Sequence, residues 1–210
     1  MIKCDVNLCA VISKAAVVKT SKEGASFLSF IVKLFVQGRD NFCKELELSV
    51  TTDGDKGMAS VYAAGRRVSL KGSMYVKSKD GKTYYNVRAD GPITMANSHD
   101  SDLLEGTMEF RGKTDPKKPV DERHDKNGKL FKAFSGFSSD KDGEKTDFTW
   151  VRFLYFDPKE GEDFLKQGAY LDIKGDLQLS AYQKSVEGGV KSGISLECRV
   201  KEISPWQLPS

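Results

Sequence analysis

The sequence predicts an all-β chain of two tandem five-stranded Greek-key barrels, each with a short helix between its third and fourth strands. Two observations predict it. One pattern occurs twice: Gly65, Val68, Leu70, Lys71 and Gly72 return 103 positions later as Gly168, Leu171, Ile173, Lys174 and Gly175. In each copy a glycine closes a helical stretch and apolar residues then alternate, as at a helix C-terminus feeding a half-buried strand. Self-similarity at a fixed offset reads as a duplicated domain. The second observation is size, because 210 residues accommodate two domains of about 100 residues each.

In the first copy, residues 6–18 are rich in Val, Ile and Ala and read as an opening strand. A turn at 21–24 leads into a second β-rich run at 27–36, closed by 38–41. The third strand, 44–50, alternates: Leu46, Leu48 and Val50 face a core, and Glu45, Glu47 and Ser49 face away. Asp55 suits the cap of a helix over 56–64, where Met58, Val61 and Tyr62 fall at i, i+3 and i+4. Strand four, 68–76, and strand five, 84–89, flank Asp80-Gly81, a strong hairpin signal.

The first domain is expected over 1–96, a small, polar linker over 97–105, and the second domain over 106–210. Met108 and Phe110 alternate in its first strand. Residues 115–127 read as a charged loop with Pro116 and Pro119, 130–137 as strand two, 138–145 as a polar loop, and 148–156 as strand three. Asp157, Pro158 and Glu160 fit a capping box opening a helix, with Phe164 and Leu165 on its buried face and Gly168 at its end. The last hairpin is 171–182 and 194–200 around Gly188-Gly189. Five strands with a helix between the third and fourth is the order of an OB-fold barrel, which offers a sheet face and loops to ligands.

Composition narrows the function class. Hydrophobic content of 39% and charged content of 30% suit a globular protein, and no apolar run approaches the roughly 18 residues of a membrane span. The first residues lack a leader's apolar run, so a cytoplasmic location is expected. Cys4, Cys9, Cys43 and Cys198 form no Cys-x-x-Cys pair, so they read as reduced thiols mostly packed in strands. Residues 1–100 hold 15 Lys and Arg against 10 Asp and Glu, and residues 101–210 hold 18 against 20. The first half can therefore attract polyanions, and the second can do so only through local clusters.

The second copy resembles the bacterial-type single-stranded DNA-binding protein family. The likeness lies in 110–116 (Phe110, Arg111, Gly112 and Asp115-Pro116 among them), in 149–156 (Thr149-Trp150-Val151-Arg152 onward) and in 164–177. The first copy matches through 58–74 and 79–85. The resemblance implies two OB folds that bind single-stranded DNA with little sequence preference. It also implies four OB folds per assembly, which a homodimer would supply. Two departures stand out. The family usually has one such domain per chain, and it ends in an acidic tail with a terminal Phe for recruiting partners, where this sequence reads Ile203 to Ser210.

Binding an unpaired strand needs rings that stack on bases and cations that neutralise phosphates. Period 2 in the third strand of the second copy puts Trp150, Arg152, Leu154 and Phe156 on one face, with Val151, Phe153 and Tyr155 on the core side. Trp150 and Phe156 sit where the family's stacking aromatics would, as do Tyr182 and, with a looser alignment, Phe137. Lys184 follows Tyr182 on the same strand. The first copy has Glu45, Glu47 and Ser49 on the equivalent face, and carboxylates repel phosphate. Its hairpin is the better candidate there, with Tyr75, Lys77 and Lys79 alternating on one strand and Lys82, Tyr84 and Arg88 on the next. The alternatives are core aromatics and a solvated charged hairpin, in a protein-interaction or assembly module.

No nucleotide-binding glycine loop and no His-Glu-x-x-His pattern occurs, so no enzyme is expected and no cofactor is implied. His99 and His124 fall in a linker and a loop. Asp121, Glu122 and Asp125 beside His124 read as a solvated loop rather than a metal site.

Overall fold

In the computed structural model, which describes residues 1–142, 144–159 and 161–206, strand β1 (Ile2–Thr20) organises the first barrel. It is followed by β2 (Ser26–Gln37), β3 (Cys43–Asp53), helix α1 (Lys56–Ala59), β4 (Arg67–Lys79) and β5 (Lys82–Ala89). Antiparallel ladders join β1 to β2, β2 to β3, β5 to β4 and β4 back to β1. A short parallel contact between β3 and β5 closes the ring. A short β6 (Thr94–Met95) lies on β4. The second barrel repeats the scheme with β7 (Leu103–Thr114), β9 (Leu130–Asp142), β10 (Lys145–Tyr155), β11 (Tyr170–Val186) and β12 (Gly189–Pro205). Its parallel closure is β10 to β12. Both barrels therefore have OB-fold connectivity.

The repeated glycines have one physical cause in both copies. A Cβ on Gly72 would lie 2.4 Å from the Arg88 carbonyl oxygen, and one on Gly175 would lie 2.1 Å from that of Arg199. Strands four and five approach too closely there for any side chain. Gly65 and Gly168 both hold positive φ, +86° and +70°, where the chain swings into strand four.

Alternation fills each barrel. Phe30 stacks on Tyr62 at 5.1 Å in the first. In the second, Phe153 meets Phe110 at 4.8 Å and Phe134 at 5.0 Å. Phe153 is fully buried, a burial that stabilises by about 2–3 kcal/mol. The barrels share one sheet, because β1 and β7 pair antiparallel from Ile2–Phe110 to Cys9–Leu103. Leu103, Leu104 and Glu105, expected in the linker, are thus strand.

Four expectations need correction. Among the described residues the second copy has no helix after its third strand, since 157–159 and 161–169 run as turns, bends and irregular chain. Asp157 pairs with Lys129 at 2.5 Å instead of capping. Glu162 takes hydrogen bonds from the Tyr155 hydroxyl and the Lys159 amide. Gly161 sits at φ +79°, which no helix admits. Leu165 is still buried as expected, while Glu160 of the expected capping box lies outside the described residues. In the first copy the helix is one α turn plus a 3-10 turn over Ser60–Tyr62; Asp55 caps it, but Met58 and Val61 are exposed and Tyr62 alone is buried. The expected 138–145 loop is largely strand, because β9 and β10 continue as a hairpin arm beyond the barrel. The charged 115–127 loop contains β8 (Asp121–His124), which pairs with β9.

Candidate nucleic-acid interface

The site grows from the β9–β10 arm. Trp150 pairs with Phe137 across the two strands, and their rings lie 5.0 Å apart. Phe148, two residues before Trp150, meets the Phe137 ring edge-on at 5.1 Å. Trp150 is 48% exposed and Phe148 47%, so both rings present surface to solvent. Their neighbours Thr149 and Val151 point the other way and are buried. A single strand therefore holds buried residues on its inner side and an aromatic ledge on its outer side. The ledge is pre-formed, because each ring is held by another ring rather than by solvent.

Arg152 comes next on the same face. Glu197 on β12 lies 3.6 Å from its guanidinium and orients it. Tyr182 on β11 completes the surface. Its ring lies across Gly193 on β12, where a Cβ would fall 2.5 Å from the Tyr182 hydroxyl. A cleft of about 600 Å³ brings together Trp150, Phe148, Arg152 and Tyr182. Its far wall is Ser78, Gly81 and Thr83 at the tip of the first barrel's β4–β5 hairpin. That tip is fixed, since the Ser78 amide donates to Thr149 Oγ1 at 2.8 Å and Lys145 pairs with Asp80 at 3.4 Å.

The structure thus brings Trp150, Phe137, Arg152 and Tyr182 together. Lys184 is exposed farther along β11, on a second cleft that also contains Arg152 and Tyr182. Phe156 stands apart at the end of the strand, half-buried, with Phe131 stacked on it at 5.0 Å and the Arg199 guanidinium 4.6 Å over its ring.

The hairpin residues of the first barrel do face outward as the alternation predicts. Tyr75, Lys77, Lys79, Lys82 and Tyr84 are exposed. Period 2, however, places them on the side of the hairpin opposite Ser78 and Thr83, which line the cleft. Lys77 leans to Asp140 at 3.8 Å, and Arg88 pairs with Asp53 at 2.5 Å. They form a separate surface rather than the second wall of the aromatic cleft.

Phe148 is the residue that sequence reasoning missed. The signal was available, because it shares the parity of Trp150 and Arg152. Asp121, Glu122 and Asp125 are engaged by Arg123, by Lys132 and by the amides of Asn127 and Lys129. Among the described residues no group of three or more His, Cys, Asp or Glu side chains is placed to hold a metal ion. No helix among them is long and apolar enough to cross a membrane.

The chain is similar over 99% of its length to the wild-type single-stranded DNA binding protein of Thermus aquaticus, a two-OB-fold chain. The match covers 94% of that chain at 14% identity, with a TM-score of 0.53. A deletion mutant of that protein matches over 99% of this chain and 96% of its own, at 15% identity and a TM-score of 0.49. A Plasmodium falciparum SSB in complex with ssDNA matches over 47% of this chain and 89% of its own, at 15% identity and a TM-score of 0.33. The Thermus wild-type likeness is one of fold, a tandem pair of OB barrels. No family model and no curated protein matches the sequence.

Proposed function

We propose that the chain binds single-stranded DNA with little sequence preference, and that it protects such strands during replication, recombination or repair. The observation that carries this is the pair of exposed rings Phe148 and Trp150, packed on the half-buried Phe137 beside Arg152. Every base has a π face, so stacking on a ledge of rings is sequence-tolerant, at about 1–3 kcal/mol per base. The guanidinium next to the ledge suits the phosphate that links two stacked bases. In this reading the protein holds its ligand and transforms nothing. Two barrels per chain would make four in a homodimer, and light scattering after size exclusion tests that assembly by its mass.

Titration with oligo(dT), read by tryptophan fluorescence, tests the reading. Quenching is expected in the parent and loss of most of it in Trp150→Phe, which leaves Trp206 as the remaining indole. A protein-interaction role is the second reading. It draws on the outward carboxylates Glu45 and Glu47 and the 52% exposed Phe35 of the first barrel. Absence of quenching and of any anisotropy change with labelled oligo(dT) would leave that second reading standing.

A further inference from the structure

We infer that the first barrel supplies one wall of a second, phosphate-binding segment of the site, through the turn between β2 and β3. This rests on the single-strand reading above and extends it past the aromatic ledge. The clefts do not end at Trp150. Arg152 lines three of them, so it is the junction at which the trench continues. Beyond it, a cleft of about 790 Å³ runs between the turn Arg39–Phe42 and the β11–β12 hairpin. Arg39 stands on the first-barrel wall, and Lys184 and Arg123 stand on the second-barrel side.

Three features make this a built surface. First, the turn is docked. Gly38 forms a parallel bridge with Ala181, and Lys44 Nζ donates to Ser192 Oγ at 2.8 Å. The approach is so close that a Cβ on Gly38 would lie 2.1 Å from the Ala181 carbonyl oxygen. Second, Asp40 and Asn41 both hold positive φ, +54° and +57°, a left-handed pair that makes the turn tight and sets the backbone beside Arg39. Third, the charge is available. Arg123 has Asp121 and Arg152 has Glu197, whereas Arg39 and Lys184 make no ion pair among the described residues. The ligand class is the phosphodiester backbone of the same strand, leaving the ledge and entering a groove with cations on both sides. A groove of this kind that tracks the backbone beside a stacking ledge is how sequence-tolerant binding is extended. The first barrel then contributes in cis, although its own strand face is acidic.

The test compares a short oligo(dT) of about 5 nucleotides with one of about 15, since OB folds occupy roughly 4–16 nucleotides each. The full chain is used, as parent, as Arg39→Ser and as Gly38→Ala. Arg39 is an exposed turn residue, so thermal melting of Arg39→Ser is expected to match the parent. Short-oligomer affinity is expected to be unchanged in Arg39→Ser. Long-oligomer affinity falls roughly tenfold, as for a lost charged contact, and its log–log salt slope flattens by about 0.7, one phosphate's share. Gly38→Ala removes no charge, but it pushes the turn off Ala181 and weakens the long oligomer in the same direction. Long-oligomer affinity and slope that do not move in either variant overturn the inference and leave the ledge reading intact. Equal losses for both lengths overturn it as well, because they report a general field rather than a contact. Absence of quenching by either oligomer in the parent defeats the ledge reading, and this inference with it.

Discussion

The two barrels share one inner pattern and carry opposite outer chemistry. Positions related by the 103-residue offset pair Phe148 with Glu45, Trp150 with Glu47, Arg152 with Ser49 and Phe156 with Asp53. The closures agree with that equivalence, since Arg152 meets Glu197 on β12 and Ser49 meets Asn86 on β5. Cross-strand neighbours change in step. Trp150 lies opposite Phe137, and Glu47 lies opposite Lys33. The arginine of strand five is present in both, but Arg199 covers the Phe156 ring whereas Arg88 pairs with Asp53. Inward, Leu48 and Val50 correspond to Val151 and Phe153, all buried. The barrel constrains only alternate residues, so duplication left the outer ones free to diverge. One copy became a ledge of rings and the other a charged face on which Glu45 and Asp53 are ion-paired, with Lys33 and Arg88.

The inner likeness can be broken by base. Each barrel buries one thiol and one phenol whose pKa is pushed up to about 12: Cys4 and Tyr85 in the first, Cys198 and Tyr155 in the second. Burial is the largest cause in all four. For Cys4 the neighbouring Cys198 adds to it, and for Tyr155 the hydrogen bond to Glu162 does. Ordinary values of 9.0 and 10.0 mean that the unfolded chain loses these protons first. The stability they contribute is full below about pH 9 and is lost as pH rises toward 12. Melting temperature should therefore fall steeply over that window, with both barrels unfolding in one transition because β1 and β7 share a ladder. Cys198→Ala should flatten the first part of the fall. Two separate alkaline transitions would contradict the equivalence of the cores.

The outer contrast can be broken by exchanging residues. Trp150→Glu gives the second barrel the first barrel's side chain. It removes stacking of about 2 kcal/mol and sets a carboxylate against phosphate, so affinity for oligo(dT) should fall roughly 100-fold. Anisotropy at one fixed salt concentration reads it, and binding within threefold of the parent would remove Trp150 from the site. Gly193→Ala acts more gently. Its Cβ displaces the Tyr182 ring without altering charge, and loss of one stacking platform should weaken binding about tenfold.

Much of this arrangement was legible in the sequence. The duplication, the alternation of β3 and β10 and the aromatic face at Trp150 follow from period 2 and a repeat, which are local signals. The arm at residues 138–145 was not legible, because it is polar on both sides and its ladder is held by docking to the Ser78–Asp80 segment, 65 or more positions away. The second helix was misread for a related reason. Its expected N-cap, Asp157, is engaged by Lys129, and Glu162 in the same segment is engaged by Tyr155, partners that only the fold brings near. Alternation set Tyr75, Lys77 and Tyr84 outward correctly, yet it carries no information about which side of the hairpin meets the neighbouring barrel.

The smallest expected effect concerns the acidic copy. Glu45 is bound to Lys33 at 3.0 Å, and both side chains are 41% exposed, so the pair is partly screened and contributes little to stability. Its electrostatic effect on a passing polyanion is also modest, but it has a sign. Glu45→Gln with Glu47→Gln removes two negative charges from the first barrel and leaves Lys33 unpaired. Oligo(dT) affinity should rise a few-fold at low salt. The gain should vanish near 1 M salt, where the screening length is about 3 Å. The pattern separates field from contact. A gain that persists at high salt would mean that the strand lies directly on the β2–β3 face, and the division of labour between the two copies would then be wrong.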